Sequence, residues 1–121
     1  MAEAFRMNAR RVDDVVRDGD WLVAAWHGEI DMSNAEALEQ DTLGSMRNTD
    51  AGLTVDLTGV SYIDSAGIRS LVAIRELLAA RQQRLFVVVQ EHSVLNKALD
   101  VGGVPAVIPI YRSMAAAGCR P

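Results

Sequence analysis

The chain has 121 residues, 50% of them hydrophobic and 23% charged, with a formal net charge of −4 and a single cysteine, Cys119. That length suits one domain spanning the whole chain, one cysteine excludes an internal disulfide, and an acidic balance argues against nucleic acid, whose binding rests on Lys and Arg neutralising phosphates. No apolar run approaches the ~20 residues of a membrane span, and the start, MAEAFRMNARRV, has no signal-peptide core, so the expectation is a cytoplasmic protein with no membrane segment.

In chain order, FRMNARRV is read as a first strand, with Arg6, Arg10 and Arg11 as a solvated edge before Asp13 and Asp14. The pair Asp18-Gly19 is a hairpin signal, and the β-compatible run WLVAAWHGEI follows it. The first two strands are therefore expected to be antiparallel neighbours. Trp21 and Trp26 have opposite strand parity, which predicts one in the core and one exposed. The stretch MSNAEALEQDTLGSMR reads as a helix, with Ser33 and Glu36 in the S-x-x-E capping pattern. In LTVDLTGV, Leu53, Val55 and Leu57 alternate with polar residues, as in a strand.

The strongest helix is SAGIRSLVAIRELLAARQQ, where Ile68, Leu71, Val72, Ile74, Leu77 and Leu78 form a broad apolar stripe. RLFVVVQ is a continuous apolar run, as expected in the middle of a parallel sheet. HSVLNKALDVGG reads as a short helix stopped by Gly102 and Gly103. AVIPIY is a last strand, which Pro109 confines to an edge, and RSMAAAG is a terminal helix. The order β-β-α-β-α-β-α-β-α predicts an α/β fold: a mixed, mostly parallel sheet with an N-terminal antiparallel hairpin and helices packed on it.

Functional groups of such sheets gather at the carboxyl ends of the strands. Two turns leave from there, GEIDMSNAE and SYIDSAGI. If their strands are adjacent, Asp31, Ser33, Asn34, Asp64 and Ser65 share one end of the molecule. Asp64 is read as the cap of the long helix and Ser33 as the cap of the first; Ser65 is either a second capping residue or a modifiable hydroxyl. Asp31 and Asn34 are either helix-entry residues or partner contacts. Ala66 and Gly67 keep the first helical turn slim, which would let a partner approach Ser65. An enzyme is not expected: residues 62–66 read Y-I-D-S-A rather than G-x-S-x-G, and the sequence has no phosphate-binding loop. His27 and His92 lack ligand spacing, so no metal and no cofactor is predicted.

Gly28-Glu29-Ile30-Asp31 and, some thirty residues on, Asp64-Ser65-Ala66-Gly67 resemble the signature turns of the STAS domain, and more narrowly those of the small bacterial anti-sigma factor antagonists. The likeness covers about residues 5–110. It implies a partner-switching regulator of transcription. Ser65 would be the phosphate acceptor, and the unphosphorylated form would bind a serine-kinase anti-sigma factor and free a sigma factor. Phosphorylation would release that partner and a PP2C-type phosphatase would reset the switch, with Asp31, Asn34, Asp64, Ala66 and Gly67 at the kinase contact. The family often has a second Ser where this chain has Ala66. Two other roles of the same fold stay open, a scaffold or sensor that is never phosphorylated and the soluble STAS subunit of a lipid-transport ABC system. Whether the chain forms a homodimer also stays open.

Overall fold

The computed structural model of the chain describes residues 14–90 and 93–112. The strand expected in residues 5–12, the terminal helix expected after Arg112, and the residues Arg6, Arg10, Arg11, His92 and Cys119 lie outside them. The first described strand, β1, is Asp14–Asp18, a stretch that the charges around Val15 and Val16 disguise as a loop. It pairs antiparallel with β2, Trp21–Ile30, through the two-residue turn Gly19-Asp20, with Asp18 opposite Trp21. The expected hairpin therefore holds, with its turn one residue later than the Asp18-Gly19 pair.

Helix α1 runs from Ala35 to Gly44, β3 from Gly52 to Ile63 and α2 from Ser65 to Ala80. They are followed by β4, Arg84–Val88, and α3, Val94–Val101. Among the described residues the five strands form one sheet in the order β1-β2-β3-β4-β5, parallel from β2 onward. The expected last strand is shorter than the sequence suggests. Val104–Ala106 turn into a 3-10 helix with Pro105 in its first turn, and β5 is only Ile110–Tyr111. Pro109, which has no N–H to give, still accepts one from Val87 through its carbonyl at 3.0 Å.

Each parallel crossover steps one strand in the same direction. Right-handed connections therefore place all three helices on one face. The core lies between that face and the helices, where Leu22, Ala24, Trp26, Leu53, Val55, Leu57, Leu85 and Val87 meet Leu38, Leu71, Ile74, Leu78, Leu95 and Leu99. Trp26 is fully buried and its indole N–H donates to the Thr42 hydroxyl at 3.0 Å, which pins α1 to β2. The parity of the two tryptophans is as read, but the exposure expected of one of them is not found. Trp21 is 2% exposed on the other face, where it donates to Thr54 at 2.9 Å and its ring lies 5.5 Å from that of Phe86.

The end of the sheet opposite the candidate turns is tied by a polar network that no motif announces. Asp50, almost fully buried, is salt-bridged to Arg17 of β1 and accepts the Arg47 N–H at 2.8 Å. The Gln83 amide, buried between α2 and β4, donates to the Arg47 and Asp50 carbonyls, both at 2.9 Å. Among the described residues, no helix is long and apolar enough to cross a membrane, and no group of three or more His, Cys, Asp or Glu could hold a metal ion.

Candidate functional site

The carboxyl ends of β2 and β3 lie side by side, with Ile30 opposite Ile63 and the Asp64 N–H donating to the Ile30 carbonyl at 3.1 Å. This adjacency brings the two candidate turns together. Both strands reach it through irregularities. Gly28 sits at a φ of 79° beside a shift in the β2–β3 register, where β3 carries one residue more than β2. That left-handed backbone is costly for a residue with a Cβ, which explains the glycine of the first motif. On β3 the inward positions run Leu53, Val55, Leu57, then Val60 and Ile63, so the alternation breaks after Leu57. There Asp56 accepts the Thr58 N–H at 2.9 Å and its hydroxyl at 2.7 Å, a local bond that competes with the ladder. The bulges re-aim the strand ends toward the surface.

The first turn is built around Asp31 and Asn34. Asp31 accepts the Ser33 N–H at 2.9 Å and the Ser33 hydroxyl at 2.5 Å, and its carbonyl accepts the N–H groups of Asn34 and Ala35. Asn34 is the N-terminal boundary residue of α1. Its side chain accepts the Asp31 N–H at 3.0 Å and donates to the Glu29 carbonyl at 2.8 Å, closing the turn on itself. Ser33 therefore does not cap α1, contrary to the S-x-x-E pattern: the boundary residue is Asn34, one position later, and the Ser33 hydroxyl donates to Asp31. The contacts on Asp31 and Asn34 are those of a helix entry.

The second turn separates two duties that the sequence left joined. Asp64 is the N-cap of α2, and its Oδ1 accepts the N–H groups of Ala66 at 2.8 Å and Gly67 at 3.1 Å. Ser65 is the first residue of the helix and is exposed. Among the described residues no side-chain hydrogen bond engages its hydroxyl. Asp64→Ala should cost about 1 kcal/mol, the usual loss for a carboxylate cap, and Asp64→Asn should recover most of it. Urea midpoints of the three proteins check this; an unchanged midpoint for Asp64→Ala would mean that another group caps α2.

Gly67 differs from the expectation in its direction. It is buried, and a Cβ there would meet Ile63 Cγ1 at 2.5 Å and Ile30 Cγ2 at 2.9 Å. The turn is slim, but the room is used by the ends of β2 and β3 rather than left to a docking protein. Ala66 is half-buried against the core.

Two apolar side chains beside these turns escaped the sequence reading. Met32 is 80% exposed next to Asp31, and Tyr62 is 52% exposed two residues before Asp64. Met32 interrupts an otherwise polar turn, which was the available signal; Tyr62 was hidden by the broken alternation of β3. The surface around Ser65 thus combines exposed apolar groups with the acidic side chains of Glu29, Asp31 and Asp64. Beside it, a groove of about 670 Å³ runs between α1 and α2, with Met32, Glu36, Glu39, Ala66 and Arg69 among its lining residues.

The family model for the STAS domain matches residues 7–117. A relative in Bordetella bronchiseptica, BtrV, which carries the name of an anti-sigma factor antagonist, is 26% identical over 96 residues, 79% of this chain and 82% of BtrV. The crystal structure of an anti-sigma factor antagonist from Mycobacterium paratuberculosis is similar with a TM-score of 0.74 at 27% identity, over 86% of this chain and 87% of that one. A Thermotoga maritima structure shares the fold, with a TM-score of 0.78 at 16% identity over 92% of this chain and 94% of that one.

Proposed function

The chain belongs to the STAS domain family, and on that premise we propose that it is an anti-sigma factor antagonist switched at Ser65. The unphosphorylated form binds a serine-kinase anti-sigma factor through the surface around Ser65, Met32 and Tyr62, and so frees a sigma factor. The kinase transfers the γ-phosphoryl group of ATP to Ser65 Oγ; the hydroxyl proton leaves and ADP remains. A PP2C-type phosphatase hydrolyses the ester and restores the hydroxyl. The chain itself supplies no catalytic group, and the exchange takes place in the cytoplasm.

The observation that carries this reading is the division of labour between Asp64 and Ser65. A hydroxyl that capped the helix would be committed to the backbone. Here Asp64 takes that role, and Ser65 stays exposed on a capped helix start. The names of BtrV and of the mycobacterial structure support the same reading. Phosphorylation adds about −1.5 to −2 charges at neutral pH. Placed beside Asp64 and near Asp31, that charge must be desolvated if a partner covers it, and an imposed like-charge contact at an interface costs several kcal/mol.

The test is intact-mass analysis after incubation with a candidate anti-sigma factor kinase and ATP, followed by peptide mapping. One phosphate on Ser65, absent from Ser65→Ala, is the expected result. A phosphate on another residue would take the switch away from Ser65, and an unmodified chain in complex with the kinase would favour the scaffold role.

A further inference from the structure

Phosphorylation at Ser65 raises a question that the capping geometry sharpens. The N–H groups of Ala66 and Gly67, which would ordinarily attract an anion at a helix start, are already taken by the Asp64 carboxylate. A phosphate on Ser65 therefore adds to an existing negative charge and finds those two donors occupied. Something else must hold it, or it hangs free in solvent beside a carboxylate.

We propose that Arg69 is the intramolecular ligand of the phosphate on Ser65. This rests on the phosphorylation reading above. The two residues are four apart on α2, whose first residue is Ser65, and positions i and i+4 of a helix lie one above the other on the same face. In helices a long side chain at i+4 readily leans back toward the N-terminus, a rotamer that would carry the Arg69 guanidinium to a phosphate on Ser65. Arg69 is exposed and forms no ion pair among the described residues. Glu36 and Glu39 line the same groove, yet neither is within salt-bridge distance of it. A guanidinium presents parallel N–H donors that match phosphate oxygens two at a time, and a near-dianion outcompetes single carboxylates for it.

Before phosphorylation Arg69 belongs to the lining of the groove between α1 and α2. After phosphorylation it folds back over the first turn of α2. The modification then changes two neighbouring surfaces together: a phosphate appears at Ser65, and a cation leaves the groove. Arg69 also offsets part of the repulsion between the phosphate and Asp64, which allows the helix to keep its cap while modified.

The experiment needs no kinase, so it stands apart from the switch itself. Phosphoserine is incorporated at position 65 of the full chain during translation, in wild type, Arg69→Gln and Arg69→Lys backgrounds. Phosphorus NMR then follows the titration of the phosphate. The expected second pKa in wild type lies about half a unit or more below that of Arg69→Gln, because a nearby cation favours the dianion. Arg69→Lys should restore part of the shift. The thermal midpoint should fall on phosphorylation further in Arg69→Gln than in wild type, while the unphosphorylated proteins melt alike. Phosphate titrations that coincide in wild type and Arg69→Gln would overturn the proposal and leave the partner switch untouched. Conversely, a kinase that never modifies Ser65 would remove the switch without altering these titrations.

Discussion

Ser65→Ala should hold the anti-sigma factor kinase in the presence of ATP, while Ser65→Glu should bind it at least ten times more weakly. To invert a two-state population from 99:1 to 1:99, the modification must change the relative affinities by about 5.5 kcal/mol. The fold is not expected to supply that energy by rearranging, since Asp64 rather than Ser65 holds the start of α2. The change stays at the surface, in the exposed Ser65 oxygen at the rim of β2 and β3 and in the Arg69 side chain one turn on. A glutamate carries one charge where a phosphate carries about −1.5 to −2, so Ser65→Glu should reproduce only part of the inversion. The phosphorylated wild type should bind more weakly than either variant. Titration calorimetry of all three against the kinase measures this. Equal affinities for Ser65→Ala and Ser65→Glu would mean that the docking surface does not include Ser65.

Most of the helices and the parallel strands were legible because their patterns are local: alternation in Leu53 to Leu57, the stripe from Ile68 to Leu78, an unbroken apolar run in β4. The meeting of the two motif turns was expected only on the condition that their strands were neighbours, and the β2–β3 ladder meets that condition. What escaped depended on competition between groups. Ser33 and Glu36 fit a capping pattern, yet Asp31, two residues before Ser33, accepts the hydrogen bond from the Ser33 hydroxyl. Asp14–Asp18 became a strand because β2 offered it a partner, against the preference of its aspartates for loops. The Arg17–Asp50 pair links residues 33 apart and leaves no periodic trace. At the site itself, the identity of the cap was readable from Asp64-Ser65. The burial of Gly67 and the exposure of Tyr62 depend instead on bulges that shift the parity of β3.

Gly67 provides the second large effect, and it separates two explanations of the same motif. If the glycine only gave a partner access to Ser65, larger residues would weaken binding and leave stability alone. The packing predicts the reverse order. The Cβ position at Gly67 points at Ile63 and Ile30, which are almost fully buried and opposite one another in the β2–β3 ladder, so neither can swing outward to make room. A side chain here lifts the first turn of α2 off the ends of the strands. Gly67→Val should therefore destabilise the fold by about 3 kcal/mol, the upper part of the range for overpacking a filled site. Gly67→Ala should be milder, since alanine regains about 1 kcal/mol of helix propensity over glycine. Gly67→Val should slow phosphorylation only in step with its loss of folded protein. Thermal unfolding of the three proteins, read beside their phosphorylation rates at a temperature where all are folded, distinguishes the cases. A Gly67→Val protein that melts with the wild type and yet resists the kinase would return the glycine to the docking surface.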